Sequence, residues 1–185
     1  MRRIIWIAIF ATLCLSKVAS CQEQPSADPK PANAVFREPF TLKLRVDKSH
    51  YYEEHYDRRI PYVSENDVYL FSGENFGVNL GIKGDVVVEV AYQPDAKKSD
   101  VWFSFKQAKE LPGGIGMMLI IQNKSKSRIS LDALMTVPGK KEILKTSIVP
   151  INAGLSDYEE WPHPIVQLVL RNFRLAEKTA GESKP

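Results

Sequence analysis

The chain has 185 residues, and its 25 basic and 22 acidic side chains give a formal net charge of +3. Three of the basic residues, Arg2, Arg3 and Lys17, lie in an N-terminal segment with the layout of a cleavable export signal. Without these three, the chain has 22 basic and 22 acidic residues, so the mature chain is formally neutral. The basic charge that would favour a nucleic-acid partner is therefore a property of the precursor, and no nucleic acid is expected.

The N-terminal segment predicts export and not a membrane-spanning helix. Arg2 and Arg3 precede an apolar run from Ile4 to Leu15, and small residues follow. This run of 12 residues would make a helix of about 18 Å, which is shorter than a hydrocarbon core of about 30 Å. We therefore expect a signal peptide over residues 1–20.

The four residues Val18-Ala19-Ser20-Cys21 resemble the lipobox of bacterial lipoproteins, in which a branched residue and two small residues precede a cysteine. The resemblance covers the signal segment alone. It implies a diacylglyceryl group on the Cys21 sulfur, an added acyl chain such as palmitate, and attachment to the cell envelope membrane. Gln22 stands where an inner-membrane lipoprotein would have aspartate, which implies the outer membrane facing the periplasm. An ordinary secretory signal followed by an unrelated cysteine is the alternative.

The mature domain has no cysteine left for chemistry, since Cys14 lies in the signal and Cys21 would carry lipid. Residues 21–37 contain three prolines among small and polar residues, which predicts a flexible tether after the lipidated cysteine. One domain is expected over 38–175, followed by a disordered tail over 176–185. Without disulfides, this domain must depend on its hydrophobic core.

Most of the predicted domain alternates between apolar and polar residues with a period of two, as half-buried strands do. The first strand is predicted at Phe40–Val46, and turn residues separate the later segments. The further strands are predicted at Asp67–Phe71, Val78–Ile82, Val86–Tyr92, Val101–Phe105, Gly116–Gln122, Ile129–Val137, Lys145–Ile151 and Ile165–Leu175. This pattern predicts an all-β fold, an antiparallel immunoglobulin-like β-sandwich, with a small β-barrel as the alternative.

Four segments of the pattern carry finer expectations. Met117–Ile121 is apolar at every position, which predicts a central strand covered on both faces. One face of Ile165–Leu175 begins apolar and ends polar, so this strand is expected to change its environment halfway. Gln107–Leu111 and Leu155–Glu160 are the two places where a short helical turn is expected.

The stretch from His50 to Asp57 holds two imidazoles and three carboxylates within eight residues. His and carboxylate ligands suit zinc, copper or nickel, so a metal site is one interpretation. Its ligands would be His50, Glu53, Glu54 and His55. Positions 50 and 55 face opposite sides of a strand, which favours a solvated edge segment over a metal site.

The same region also has the composition of a protein-binding surface, where tyrosine and arginine supply the anchors. The predicted binding residues are Tyr51, Tyr52, Tyr56, Arg58, Tyr62 and Trp161. For Trp161, which two nearby prolines hold in an extended segment, the alternative is a plug that closes one end of the sandwich. Six acidic and three basic residues lie between Asp47 and Asp67, a local excess that could steer a charged partner.

Catalytic motifs are absent from the sequence. It has no Gly-x-Ser-x-Gly elbow, and the adjacent Glu159 and Glu160 would point apart in a strand. We therefore expect no enzyme and no cofactor. The predicted function is a lipid-anchored periplasmic β-sandwich that binds another protein, as an accessory subunit of an envelope complex or as an immunity or inhibitor protein. A metal- or small-ligand-binding envelope lipoprotein is the alternative.

Overall fold

The computed structural model describes residues 34–111 and 114–176, and this part of the chain is built from strands. The described strands are β1 (Phe40–Arg45), β2 (Tyr51–Tyr56), β3 (Val63–Ser64), β4 (Asp67–Leu70), β5 (Glu74–Lys83), β6 (Val86–Gln93), β7 (Val101–Leu111), β8 (Gly114–Asn123), β9 (Ile129–Thr136), β10 (Leu144–Ser147), β11 (Ser156–Trp161) and β12 (Gln167–Leu175). The signal peptide, Cys21, most of the tether and the tail after residue 176 lie outside the described residues.

Two five-stranded antiparallel sheets form the body of the domain. Sheet 1 has the order β10-β9-β12-β4-β3, and sheet 2 has the order β11-β8-β7-β5-β6. The sheets pack against each other and each keeps two edge strands, so they do not close on themselves. The prediction of an all-β antiparallel sandwich is confirmed, and the alternative of a small barrel is wrong.

The core lies between the two sheets and takes one face of each strand. On β9 the predicted inward set Ile129, Leu131, Ala133 and Met135 is buried, as expected from the alternation. Facing residues from sheet 2 include the fully buried aromatics Phe103 and Phe105. Burying a large apolar side chain contributes roughly 1.5–3 kcal/mol, so this layer is the main source of stability in a domain without disulfides.

A separate two-stranded hairpin, β1–β2, packs against the sandwich. Its inner face buries Leu42 and Leu44 against Phe71, which follows β4, and Val166, which precedes β12. Phe40 stacks on Tyr56 across the hairpin with ring centroids 4.9 Å apart. The predicted strand at the start of the domain is therefore present, and its partner is the stretch that holds the histidines and tyrosines.

Both expected helical turns are wrong. Residues 107–111 continue β7, and residues 156–161 form β11 at the edge of sheet 2. Tyr158 and Trp161 of β11 pair with Ile120 and Met117 of β8. Pairing with a long central strand supplies the backbone hydrogen bonds that an isolated short segment would have to make as a turn.

The last strand changes its environment as predicted. Leu168 and Leu170 are buried, and then a bulge between Arg171 and Arg174 shifts the phase so that Phe173 faces the core. Asn172 has a φ of 53° at this bulge, a left-handed conformation that asparagine tolerates better than most residues.

The packed domain begins before the predicted end of the tether at residue 37. Phe36 forms an antiparallel bridge with Pro61, and the Arg37 amide donates to the Ile60 carbonyl at 2.8 Å. The Arg37 side chain is 4 % exposed and its guanidinium pairs with Glu74. This buried arginine fixes the start of the domain to the sandwich.

Candidate functional site

The β1–β2 hairpin has one face toward the domain and one toward solvent. Burial alternates along β2, with Tyr52, Glu54 and Tyr56 half-buried and their neighbours exposed. The outward side chains form three cross-strand pairs, which are Thr41 with His55, Lys43 with Glu53, and Arg45 with Tyr51. The face that meets solvent is thus polar and charged, with one aromatic ring, Tyr51, that is 57 % exposed.

The structure does not bring the four predicted metal ligands together. Each has a different partner. His50 Nδ1 lies 2.7 Å from Asp47 Oδ2, and His55 Nδ1 lies 3.0 Å from Thr41 Oγ1. Glu53 pairs with Lys43 at 3.2 Å, and the Glu54 carboxylate binds the hydroxyls of Tyr52 and Tyr56. In residues 34–111 and 114–176, no group of three or more His, Cys, Asp or Glu side chains could hold a metal ion. The alternation of β2 separates these ligands onto two faces.

Glu54 organises the inner row of β2. Its Oε2 accepts hydrogen bonds from the Tyr52 hydroxyl and, at 3.0 Å, from the Tyr56 hydroxyl. Burial and then the hydrogen bond to Glu54 raise the pKa of Tyr52 to about 12, and the same causes raise the pKa of Tyr56 further. Both phenols therefore stay protonated and hold the carboxylate. They line a shallow pocket of about 280 Å³ with Lys140 at its edge.

The remaining predicted binding residues separate into exposed and buried ones. Arg58 is exposed just after β2 and is available to a partner. Tyr62 lies beneath the Arg37 guanidinium, 4.0 Å from its ring centroid, and packs on the core. Trp161 is 7 % exposed and its indole N–H donates to Thr146 Oγ1 at 3.2 Å. Its position on β11 turns the Trp161 ring inward, so the ring is not presented at the surface, and its role in binding stays a prediction.

The free edge of β2 is a feature that side-chain composition did not reveal. The Val46 amide donates to the His50 carbonyl, and hydrogen-bonded pairs alternate along an antiparallel ladder. Residues 44, 42 and 40 of β1 therefore also direct their backbone N–H and C=O groups toward β2. Residues 45, 43 and 41 of β1, and residues 51, 53 and 55 of β2, then direct their N–H and C=O groups away from the hairpin. In the described part of the chain, β1 is the one strand that pairs with β2.

The corresponding edge of β1 is capped by a side chain. Gln107 Oε1 accepts from the Arg45 amide at 3.0 Å, and Gln107 Nε2 donates to the Arg45 carbonyl at 2.7 Å. The amide group takes the place of a neighbouring strand at this position. No cap of this kind is recorded for the edge of β2 in residues 34–111 and 114–176, and the hairpin therefore has one blocked edge and one open edge.

A second surface was missed at the level of the sequence. The outer face of sheet 2 carries the partly exposed Trp102, Met118 and Ile120 beside Tyr158, which is 64 % exposed. The fully apolar run Met117–Ile121 was the signal, but it predicted a strand covered on both faces. The inner residues Met117, Leu119 and Ile121 are buried, whereas no described element covers Met118 and Ile120.

Both surfaces have features through which proteins can bind other molecules. One presents an open strand edge with polar side chains, and the other presents apolar and aromatic side chains on the outer face of sheet 2. In the residues that the structure describes, no helix is long and apolar enough to cross a membrane. Comparison of the chain with protein-family models, with curated proteins and with solved structures returned no match.

Proposed function

We propose that this protein is a lipid-anchored protein of the bacterial cell envelope that binds another protein through its β1–β2 hairpin. It acts on the periplasmic side of the outer membrane as an accessory subunit of an envelope complex, or as an immunity or inhibitor protein. The observation that carries the binding role is the open edge of β2. The anchor rests on the lipobox resemblance at Cys21.

An open strand edge is a binding element because its backbone groups accept another strand. The outward N–H and C=O groups of Tyr51, Glu53 and His55 have the spacing that an added strand requires. Natural domains block such edges unless they are used, and this domain does so at Arg45 through Gln107. The contrast between the two edges of one hairpin supports β2 as the edge that receives a partner.

The side chains around this edge would supply specificity. Tyr51 presents an exposed ring, with the Lys43 ammonium 5.2 Å from its centroid. Arg58 is exposed beyond the end of the strand. Tyrosine and arginine are enriched among the residues that carry most of the binding energy at protein interfaces. The local acidic excess favours a partner with basic residues along its strand.

Two substitutions at one position test the edge. Glu53→Pro removes an outward N–H while the hydrogen bonds between β1 and β2 remain, because residue 53 is not in a hydrogen-bonded pair. Glu53→Ala removes the ion pair with Lys43 and keeps the N–H. With a photoreactive amino acid at position 51 of the full chain, irradiated cells should yield one discrete adduct. We expect this adduct to disappear with Glu53→Pro and to persist with Glu53→Ala.

The control places the same photoreactive group at position 85, an exposed site in the turn between β5 and β6. It should give no discrete adduct. Identical adducts from positions 51 and 85 would contradict binding at the edge of β2. An adduct at position 51 that is unaffected by Glu53→Pro, in a chain with wild-type circular dichroism, would contradict it as well.

A further inference from the structure

The outer face of sheet 2 has a pattern that its strand register makes visible. Three rows of side chains cross β11, β8 and β7 in that order. The rows are Ser156–Gln122–Trp102, Tyr158–Ile120–Ser104 and Glu160–Met118–Lys106. In each row the β8 residue lies in the middle, and the two flanking residues are unlike each other in size or in charge.

Within each row, the residue on β11 and the residue on β7 are complementary in size or in charge. A large ring on one flank stands in the same row as a small serine on the other, with Tyr158 opposite Ser104 and Trp102 opposite Ser156. In the third row an acidic residue, Glu160, stands opposite a basic one, Lys106. The two flanking strands are two strand spacings apart, which is about 9.6 Å in total. Within one chain, neither ring therefore fills the space above the serine in its own row.

A two-fold axis parallel to β8 and lying against this face would bring each flank onto its complement. Such a rotation exchanges the β11 side of one copy with the β7 side of the other and keeps every row in register. Tyr158 of one copy would then face Ser104 of the other, Trp102 would face Ser156, and Glu160 would face Lys106. The middle residues Met118 and Ile120 would meet their own counterparts on the axis.

We propose that the outer face of sheet 2 binds a second copy of this chain, face to face across β8. The arrangement is isologous, since each contact occurs twice and the assembly closes as a dimer. Packed sheets in sandwiches lie about 10 Å apart with strands within about 30° of each other, a geometry compatible with this axis. The apolar residues left exposed on β8 become the centre of the interface.

Two features rise above this face beside the three rows. They are the connection from β6 to β7 and the Lys124 side chain, whose ammonium lies 5.5 Å from the Trp102 ring centroid and donates to the Ala96 carbonyl at 2.6 Å. The connection from β6 to β7 passes over β5 at Gly77, where a Cβ would come within 2.5 Å of Ser99. β5 lies two strands from β8 on the β7 side. The two-fold rotation places this connection beyond β11 of the other copy, where sheet 2 has ended. The protruding connection therefore lies outside the three rows of the proposed contact.

The contact is expected to be weak in free solution. Three strands and three rows span about 10 Å by about 14 Å, well below the roughly 800 Å² per partner of a standard interface. If the proposed anchor holds the chains on one membrane, confinement raises their effective concentration and favours the dimer. The test therefore uses the full chain in the envelope.

Charge reversal with rescue tests the pairing. The reporter is Met118→Cys, bridged by a thiol crosslinker that spans about 10 Å, the spacing of packed sheets. We expect a crosslinked product of twice the chain mass. Glu160→Lys alone or Lys106→Glu alone places like charges together and should lower the yield by about tenfold. The double substitution restores opposite charges and should return the yield to near that of the reporter chain.

The matched control is Glu142→Lys, which reverses an exposed charge far from these strands in sequence and should leave the yield unchanged. The chain without Met118→Cys controls for crosslinking through its own cysteines. If no product of twice the chain mass forms, or if the double substitution crosslinks as poorly as each single one, the second copy is not the occupant of this face.

Discussion

At the scale of single residues, the Arg37 side chain is held by several partners at once. Its guanidinium pairs with both oxygens of Glu74, donates to the Pro61 carbonyl at 2.6 Å and lies over the Tyr62 ring. Glu74 in turn accepts from the Phe71 amide at 2.8 Å. A planar group with five donors is suited to such a site, where lysine would leave acceptors unsatisfied.

Replacing Arg37 should therefore destabilise the domain strongly. Arg37→Ala leaves the Glu74 carboxylate, which is 19 % exposed, without its ion pair, and breaking a buried pair from one side costs about 3–5 kcal/mol. Urea unfolding of the variant and the wild type measures the difference in free energy of unfolding.

The control is Arg59→Ala, which breaks an exposed pair with Glu38 whose side chains are 54 % and 77 % exposed. Exposed pairs contribute about 1 kcal/mol or less, so this variant should unfold close to the wild type. Equal losses from the two variants would show that Arg37 does not hold the start of the domain.

Such a residue is difficult to identify from the sequence. Arg37 stands at the end of a proline-rich, polar segment, where one arginine looks like any solvated charge. Its partner Glu74 is 37 positions away, and nothing in either local pattern indicates the pairing. Tyr51 and Trp161 show the same difficulty from the other side, since both are aromatic residues among charges, yet one is exposed and the other buried.

At the scale of elements, strands with clean alternation were predictable and two mixed ones were not. Phe40–Arg45 alternates apolar and polar residues, and its strand is confirmed. β2 and β11 place Glu54, Asp157 and Glu159 on their inner faces, which hides the period-two pattern. Burial and then the nearby Asp157 charge raise the pKa of Glu159. Inward charges at a sheet edge also discourage unwanted pairing of β11 with other chains.

The cap on β1 gives the element-scale prediction. Gln107→Leu removes both hydrogen bonds to the Arg45 backbone and should cost about 1–2 kcal/mol at roughly 1 kcal/mol for each bond. The effect on the Arg45 amide should be easier to detect than the change in overall stability, because this amide loses its hydrogen-bond acceptor. Hydrogen exchange measured residue by residue should show faster exchange at Arg45.

The internal control is the Leu44 amide, which faces β2 and should keep its protection in the variant. If Arg45 exchanges at the wild-type rate after Gln107→Leu in a folded chain, the side chain is not the cap. The prediction also bears on the proposed binding role, since an uncapped β1 would resemble the open edge of β2.

At the scale of the whole molecule, the two proposed surfaces lie on different parts of the domain and offer separate tests. The open edge belongs to the β1–β2 hairpin, and the apolar face belongs to β11, β8 and β7. Tyr51→Ala should weaken partner binding and leave crosslinking of the Met118→Cys reporter unchanged. Tyr158→Ala should weaken this crosslinking and leave partner binding unchanged. An envelope protein that pairs with itself through a sheet face would present two hairpins to its partner.

Both proposals place the domain at a membrane, so the anchor itself needs a direct test. The chain has two cysteines, and the lipobox resemblance implies lipid on Cys21 and none on Cys14. Labelled palmitate should enter the wild type and Cys14→Ala, whereas Cys21→Ala should remain unlabelled and leave the membrane fraction. A single acyl chain binds only marginally, so stable sedimentation with membranes requires the two or more chains that this modification supplies. Label in Cys21→Ala, or soluble wild-type protein, would contradict the anchor and leave an ordinary secreted β-sandwich.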